Sequence, residues 1–256
     1  MQIEYEEHGD GIPLVLLHAF PLSRRMWEPQ KKALERVNVR LILPDLRGFG
    51  ETKSTADTNT MDEMAGDVAD LLDRLEIEKA IIGGLSMGGY VTFALYRLDP
   101  GRFSGLILCD TACAADTDEK RENRFKLIKK IEGSGSQALI ENMLPMLVGK
   151  YTKENNPELY ADLEQRFAGT DPQAAIGALR GMAARNDSCD LLSEIDVPTL
   201  FIFGEEDELT DADMGRKMHS RVNGSELCLI RNAGHYSNLE QPEQFDQAIV
   251  SFINRQ

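Results

Sequence analysis

The sequence has few of the features that mark exported and membrane-bound proteins. No apolar run approaches the roughly 20 residues that a membrane helix requires. Residues 1–9 contain neither the basic region nor the apolar region of a secretory signal. We therefore expect no membrane-spanning segment and a cytoplasmic location.

Positive charge is also scarce. The chain of 256 residues has 28 Lys and Arg against 43 Asp and Glu, which gives a formal net charge of −15. Nucleic acids and anionic membrane surfaces are bound through clustered Lys and Arg. We expect neither as a partner, and the same negative field modestly disfavours strongly anionic substrates.

Cysteine is rare, and its spacing matches no known framework. Cys109, Cys113, Cys189 and Cys228 form neither a C-x-x-C pair nor a dense disulfide pattern, so we predict that they are reduced and mostly structural. The four histidines add no metal-ligand set. Phosphate-binding G-x-G-x-x-G and G-x-x-x-x-G-K-[ST] spacings are absent. No metal and no cofactor are expected.

The apolar content, 42% of residues, is sufficient for one large core. Short apolar runs predict buried strands, and the segments between most of them have helical spacing, as in 61–75. The six predicted strands are 14–18, 40–44, 80–83, 105–109, 199–203 and 227–230. This alternation predicts an α/β fold with a mostly parallel central sheet flanked by helices, and ligand sites beyond the carboxyl ends of the strands.

The alternation stops between residues 114 and 194, where four helical segments follow one another. They are 123–131, 137–147, 157–167 and 172–184. We interpret 114–194 as a helical cap inserted into a core formed by 1–113 and 195–256. Such a cap would enclose a substrate pocket. Trp27, Met143, Leu144 and Leu147 are candidates for its lining, with Met146 also apolar, although core packing explains the same residues equally well.

Residues 84–88 form a G-x-S-x-G motif between a predicted strand and a predicted helix. In this context the motif indicates a nucleophile elbow, a sharp turn that exposes a serine. Small residues are needed on both sides because a bulky neighbour would clash with the adjacent chain. Ser86 is therefore the candidate nucleophile.

A serine hydroxyl needs a base, and the base needs a group that orients it. His235 follows the last predicted strand, whereas His8 and His219 lie in polar surface segments. Asp207 follows the strand 199–203, between the serine and the histidine in the chain order typical of this elbow. Asp110, after the strand 105–109, is the competing acid, and its alternative role is in a turn or hinge.

Two backbone N–H groups are candidates for an oxyanion hole. The helix that starts after Ser86 directs the Met87 N–H at a developing oxyanion. The loop after the first predicted strand offers the N–H of Phe20. His18 in that loop is predicted to shape it by hydrogen bonding, and the turn 45–50 is predicted to be structural.

Segments 18–21, 45–50, 84–89, 204–207 and 234–235 together resemble the α/β-hydrolase superfamily. Within it, the chain is similar to small bacterial carboxylesterases and to the 3-oxoadipate enol-lactonase group, which add a four-helix cap to this core. The resemblance implies a triad of Ser86, Asp207 and His235 with an oxyanion hole at Phe20 and Met87. It also excludes haloalkane dehalogenases and epoxide hydrolases, which have a carboxylate at the elbow.

These features predict a serine carboxylesterase that acts on small to medium acyl esters through an acyl-enzyme. A lactonase of the enol-lactonase type and a cofactor-free perhydrolase remain open, since all use the same elbow. A protein that kept the fold and only binds its ligand is the alternative outside enzymes. The motifs specify neither the acyl chain, the alcohol nor the oligomeric state.

Overall fold

A seven-stranded sheet forms the centre of the computed structural model, which describes all residues 1–256. The strands are β1 (Tyr5–His8), β2 (Ile12–Leu17), β3 (Val39–Pro44), β4 (Ala80–Leu85), β5 (Phe103–Cys109), β6 (Thr199–Gly204) and β7 (Glu226–Ile230). Their order across the sheet is β1-β3-β2-β4-β5-β6-β7. Only β1 is antiparallel to its neighbour. The α/β fold with a mostly parallel sheet is confirmed.

The apolar runs become strands because both faces of the central sheet are covered. All six residues of β4 are buried, and so are all six of β6. A strand that is buried on both faces shows a continuous apolar run and no alternation. β1 was not among the six predicted strands, because its residues YEEH are mostly exposed and carry no such run.

Helices cover the two faces of the sheet. Outside the segment between β5 and β6 they are α1 (Glu28–Leu34), α2 (Met61–Arg74), α3 (Met87–Leu98), α10 (Ala212–His219), α11 (Ser237–Glu240) and α12 (Pro242–Ile253). α2 begins at a capping box, in which Thr60 and Glu63 satisfy each other's backbone N–H groups. No helix of the chain meets the length and hydropathy criteria of a membrane span.

Six helices lie between β5 and β6, where four were predicted. They are α4 (Asp118–Ser134), α5 (Gln137–Asn142), α6 (Leu144–Leu147), α7 (Lys150–Asn155), α8 (Pro157–Ala168) and α9 (Pro172–Ala183). We call them the inserted helices. The predicted helix 137–147 is split at Met143, since Pro145 has no N–H for a continuous helix. α7 was missed because its sequence KYTKEN has no apolar period.

Cys113 and Cys189 form a disulfide, so the prediction that all four cysteines are reduced was wrong. They lie 76 residues apart in the sequence, yet their Cα atoms are 4.7 Å apart. The chain leaves β5 and returns towards β6 at neighbouring points, where the Ser188 N–H donates to the Cys113 carbonyl. The positions of Cys113 and Cys189 in the sequence do not by themselves predict this contact. Cys109 and Cys228 are free thiols.

Candidate active site

Ser86 lies at the sharp turn between β4 and α3, with φ 55° and ψ −111°. A residue with a side chain rarely adopts a positive φ, and such strain is concentrated at functional sites. Glycine at 84 and 88 makes the turn possible. A Cβ atom at Gly84 would lie 2.2 Å from the Gly88 carbonyl carbon, and one at Gly88 would lie 2.2 Å from the Leu17 carbonyl oxygen.

A continuous chain of hydrogen bonds joins the three predicted catalytic side chains. His235 Nε2 is 2.8 Å from Ser86 Oγ, and His235 Nδ1 is 2.7 Å from Asp207 Oδ2. These residues come from the ends of β4, β6 and β7, because the carboxyl ends of parallel strands share one edge of the sheet. All three are buried, with Ser86 the most accessible at 7% exposure.

Asp207 accepts three further hydrogen bonds from its own turn. The N–H groups of Leu209 and Thr210 donate to Oδ1, and the Thr210 hydroxyl donates to Oδ2 at 2.6 Å. The same hydroxyl is 3.3 Å from His235 Nδ1. Thr210 was not singled out from the sequence, although a threonine three residues after an aspartate is a common turn partner.

Electrostatics favour a charged Asp207 beside a basic imidazole. Burial by itself raises the pKa of Asp207, but His235 and the Thr210 hydrogen bonds outweigh it, and the pKa is lowered. Burial by itself lowers the pKa of His235, but the charge and hydrogen bond of Asp207 outweigh it and raise the pKa above 6.5. An imidazole with a raised pKa is a stronger base for the serine proton.

The two predicted oxyanion donors are both free to bind a ligand. Met87 is the first residue of α3, and the first N–H groups of a helix have no partner within it. The Phe20 N–H likewise makes no backbone hydrogen bond. The Phe20 carbonyl is fixed instead, since it accepts a hydrogen bond from the buried Tyr236 hydroxyl at 3.0 Å.

His18 stabilises the Phe20 loop, as predicted. Its Nε2 accepts from the Leu46 N–H at 2.9 Å, so Nδ1 carries the proton and donates to the Ala19 carbonyl at 3.0 Å. Burial lowers the pKa of His18 and keeps it neutral. The turn 45–50 is held in a similar way, because Asp45 accepts from the backbone N–H groups of Arg24 and Glu51.

The inserted helices contact the histidine loop directly. The His235 N–H donates to the Leu147 carbonyl at 2.8 Å, and the Gly149 N–H donates to the Glu240 carboxylate at 2.9 Å. The backbones are so close that a Cβ at Gly149 would lie 2.7 Å from the Gly234 nitrogen. Glu240 is 5% exposed and was missed by the sequence reasoning.

The predicted pocket residues have different environments. Leu144 and Leu147 belong to the buried hydrophobic core, and Met143 packs against it. Trp27 is fully buried, and its ring lies 6.0 Å from that of Phe245 on α12. Met146 is 55% exposed and faces solvent. The contribution of Trp27, Met143, Leu144 and Leu147 to a substrate pocket therefore stays a prediction. No three His, Cys, Asp or Glu side chains are grouped as a metal site requires.

The fold and the serine elbow together define the class of α/β hydrolases. The chain belongs to the alpha/beta hydrolase fold family, whose model matches residues 12–242. It is similar to 3-oxoadipate enol-lactonase 1 of Acinetobacter baylyi, with 30% identity over 99% of this chain and 92% of the relative.

Two solved structures extend the comparison. A thermophilic esterase from Thermogutta terrifontis, described with malate bound, has a TM-score of 0.95 and 38% identity over 99% of this chain and 93% of that one. The enol-lactonase from Burkholderia xenovorans has a TM-score of 0.90 and 28% identity over 98% of this chain and 96% of that one. The family supports hydrolase activity on small-molecule esters or lactones.

Proposed function

We propose that the protein is a serine carboxylic-ester hydrolase that acts on small to medium acyl esters through an acyl-enzyme. The observation that carries the proposal is the hydrogen-bond chain from Ser86 Oγ through His235 to Asp207, with contacts of 2.8 and 2.7 Å. A serine with a base and an oriented acid at these distances is the arrangement that acyl transfer requires.

In the proposed mechanism Ser86 Oγ attacks the ester carbonyl carbon while His235 Nε2 takes the hydroxyl proton. The Phe20 and Met87 N–H groups hold the oxyanion of the tetrahedral intermediate. His235 then gives its proton to the leaving alcohol, and the acyl group stays on Ser86. Water attacks the acyl-enzyme with the same imidazole as base, and Asp207 keeps Nδ1 protonated and stabilises the imidazolium.

The inserted helices are proposed to form the cap over this site, with residues 114–194 as its extent. The contacts of Leu147 and Gly149 with the histidine loop support this arrangement. A cytoplasmic location also stays a prediction, and the Cys113–Cys189 disulfide weighs against it, because reducing compartments keep most thiols free.

A lactonase of the enol-lactonase type is the second candidate function. Its substrate derives from a dicarboxylate and needs a cationic contact, and a pair of arginines in this chain could supply one. Arg124 and Arg185 both bind Asp116, at 2.5 and 2.6 Å, which leaves one excess positive charge. The Arg185 guanidinium lies 4.1 Å from the ring centre of Tyr90, four residues after Ser86. Two other arginines of the inserted helices are engaged near the surface, since Arg166 pairs with Asp162 and Arg180 donates to the Asp57 carbonyl.

The proposal is tested with p-nitrophenyl esters from acetate to palmitate, a γ-lactone and an enol-lactone. Ser86→Ala should lose roughly four to six powers of ten in kcat, or about 5 to 8 kcal/mol of activation free energy. Ser220→Ala, at the exposed end of α10, is the matched control and should retain full activity. Retained turnover in Ser86→Ala would exclude the mechanism.

The substrate series separates the candidates. Fast turnover of short esters supports the carboxylesterase, whereas weak ester hydrolysis with rapid lactone opening supports the lactonase. Peracid formation from a short carboxylic acid and hydrogen peroxide would indicate the perhydrolase alternative. Failure of a fluorophosphonate to label Ser86 would favour a protein that only binds its ligand.

A further inference from the structure

The end of β5 contacts the loops of all three proposed catalytic residues. The Cys109 carbonyl accepts from the Ser86 N–H at 2.9 Å, and the Thr111 hydroxyl donates to the Ser86 carbonyl at 2.8 Å. Asp110 lies between them with a φ of 41°, a conformation that is uncommon for a residue with a side chain. The surrounding contacts hold this strained turn in place.

The side chain of Asp110 bridges the other two loops. Its Oδ1 accepts from the Gly204 N–H at 2.8 Å, three residues before Asp207. Its Oδ2 is hydrogen-bonded to the hydroxyl of Ser237, two residues after His235. Asp110 is fully buried, so water does not compete for these bonds. One carboxyl group thus fixes the acid loop and the base loop at the same time.

We propose that Asp110 is a positioning residue that holds the Asp207 and His235 loops at the separation that the reaction of Ser86 requires. This inference rests on the proposed function. This role of Asp110 differs from that of a triad acid, because the carboxylate that contacts His235 Nδ1 belongs to Asp207. Asp110 acts through the two loops and touches neither the nucleophile nor the substrate.

The two hydrogen bonds of Asp110 give it a positioning role that depends on geometry. Burial, together with the neighbouring charge of Asp207, raises the pKa of Asp110 well above its usual range, which disfavours the charged carboxylate. One oxygen of the carboxyl group accepts from the Gly204 N–H, and the other accepts from the Ser237 hydroxyl. An asparagine amide at 110 keeps an acceptor for the Gly204 N–H, and its NH₂ group can donate to the Ser237 oxygen, because a hydroxyl group both donates and accepts.

The test compares Asp110→Ala, Asp110→Asn and Ser237→Ala in the full-length protein. The readouts are kcat and KM on the ester, the pH dependence of kcat/KM, and the rate at which a fluorophosphonate labels Ser86. Asp67→Asn is the matched control, since Asp67 is a buried carboxyl on α2 that pairs with Arg47 in the turn after β3. Circular dichroism verifies that each variant is folded. Active-site titration gives the concentration of competent enzyme, to which each rate is normalised.

We expect Asp110→Ala to lower kcat and the labelling rate by about 100-fold, because small displacements of catalytic groups have effects of this size, with KM nearly unchanged. Asp110→Asn should stay within about threefold of wild type with the same kinetic pKa, since both hydrogen bonds are kept. Ser237→Ala should lie between them. If Asp110→Ala does not fold, the test rests on Ser237→Ala, which should have a lower kcat and a lower labelling rate than Asp67→Asn.

Three results would overturn the inference. They are labelling of Asp110→Ala at the wild-type rate, a loss in Asp110→Asn as large as in Asp110→Ala, and a kinetic pKa that falls in Asp110→Asn. The last result would show that Asp110 acts as a charge. If the wild-type protein itself is not labelled, the proposed function fails, and this outcome is distinct from all three.

Discussion

Removing the Cys113–Cys189 disulfide should destabilise the protein by several kcal/mol while the hydrogen bonds of Ser86, His235 and Asp207 stay intact. The bridge closes a loop with a sequence separation of 76. Closing a loop of this length removes about 15 cal/mol/K of entropy from the unfolded chain, or about 4.5 kcal/mol at 25 °C. Measured bridges commonly give about 2 to 4 kcal/mol, so the entropy value is an upper bound.

The assay is thermal and urea denaturation of oxidised wild type and of the double variant Cys113→Ser/Cys189→Ser. For a chain of this size, about 2 to 4 kcal/mol corresponds to a fall in melting temperature of roughly 4 to 16 °C. Cys228→Ser, which removes a half-buried free thiol and keeps the bridge, is the control. Its melting temperature should stay close to that of wild type.

Two observations would refute this reasoning. One is equal stability of the double variant and oxidised wild type. The other is four reactive thiols in wild-type protein that has been unfolded without a reductant, since the bridge leaves only Cys109 and Cys228 free. A third measurement, ester turnover at 25 °C, should not distinguish the folded double variant from wild type.

Three further outcomes follow from the site. The pH profile of kcat/KM should rise through an apparent pKa above 6.5, because protonated His235 cannot accept the serine proton and its pKa is raised; a midpoint below 6.5 would contradict the contacts with Asp207. Thr210→Val should lower kcat by about tenfold or more, since a hydrogen bond to a charged group contributes about 1.5 to 3 kcal/mol. Thr210→Ser should restore most of that rate, and equal rates for both variants would argue against the bond to Asp207. Gly88→Ala should lower the melting temperature more than Gly66→Ala does, because a Cβ at 88 would lie 2.2 Å from the Leu17 carbonyl oxygen, whereas nothing lies within 4 Å at 66; similar melting temperatures would show that the elbow can relax.

The sheet could be predicted from the sequence because its central strands are buried on both faces. Each of the six apolar runs became a strand, with bounds that differ by at most two residues. β1 lacks that signal, since it sits at the edge of the sheet and exposes most of its side chains. α7 was missed for the same reason, as its polar sequence shows no apolar face.

The candidate site could be located because strand ends of a parallel sheet converge. Each of the three proposed catalytic residues follows an apolar run, and this position was sufficient to predict that they lie together. In the structure, hydrogen bonds join Ser86, His235 and Asp207. The roles of Asp110, Tyr236 and Glu240 could not be assigned, because each has partners far away in the sequence. The bond from the Tyr236 hydroxyl to the Phe20 carbonyl, for example, spans 216 residues. Thr210 is different, since its partner Asp207 is only three residues away and the turn pattern could have indicated it.

The bond between the His235 N–H and the Leu147 carbonyl has a consequence for protein engineering. Exchanging the inserted helices for those of a relative is an obvious route to a new substrate preference. Here the segment around Leu147 and Gly149 also supports His235, the proposed general base. A chimera that replaces this segment must preserve the Leu147 carbonyl and the small residue at 149. Otherwise the His235 imidazole would be displaced, and the new substrate preference would come with a loss of rate.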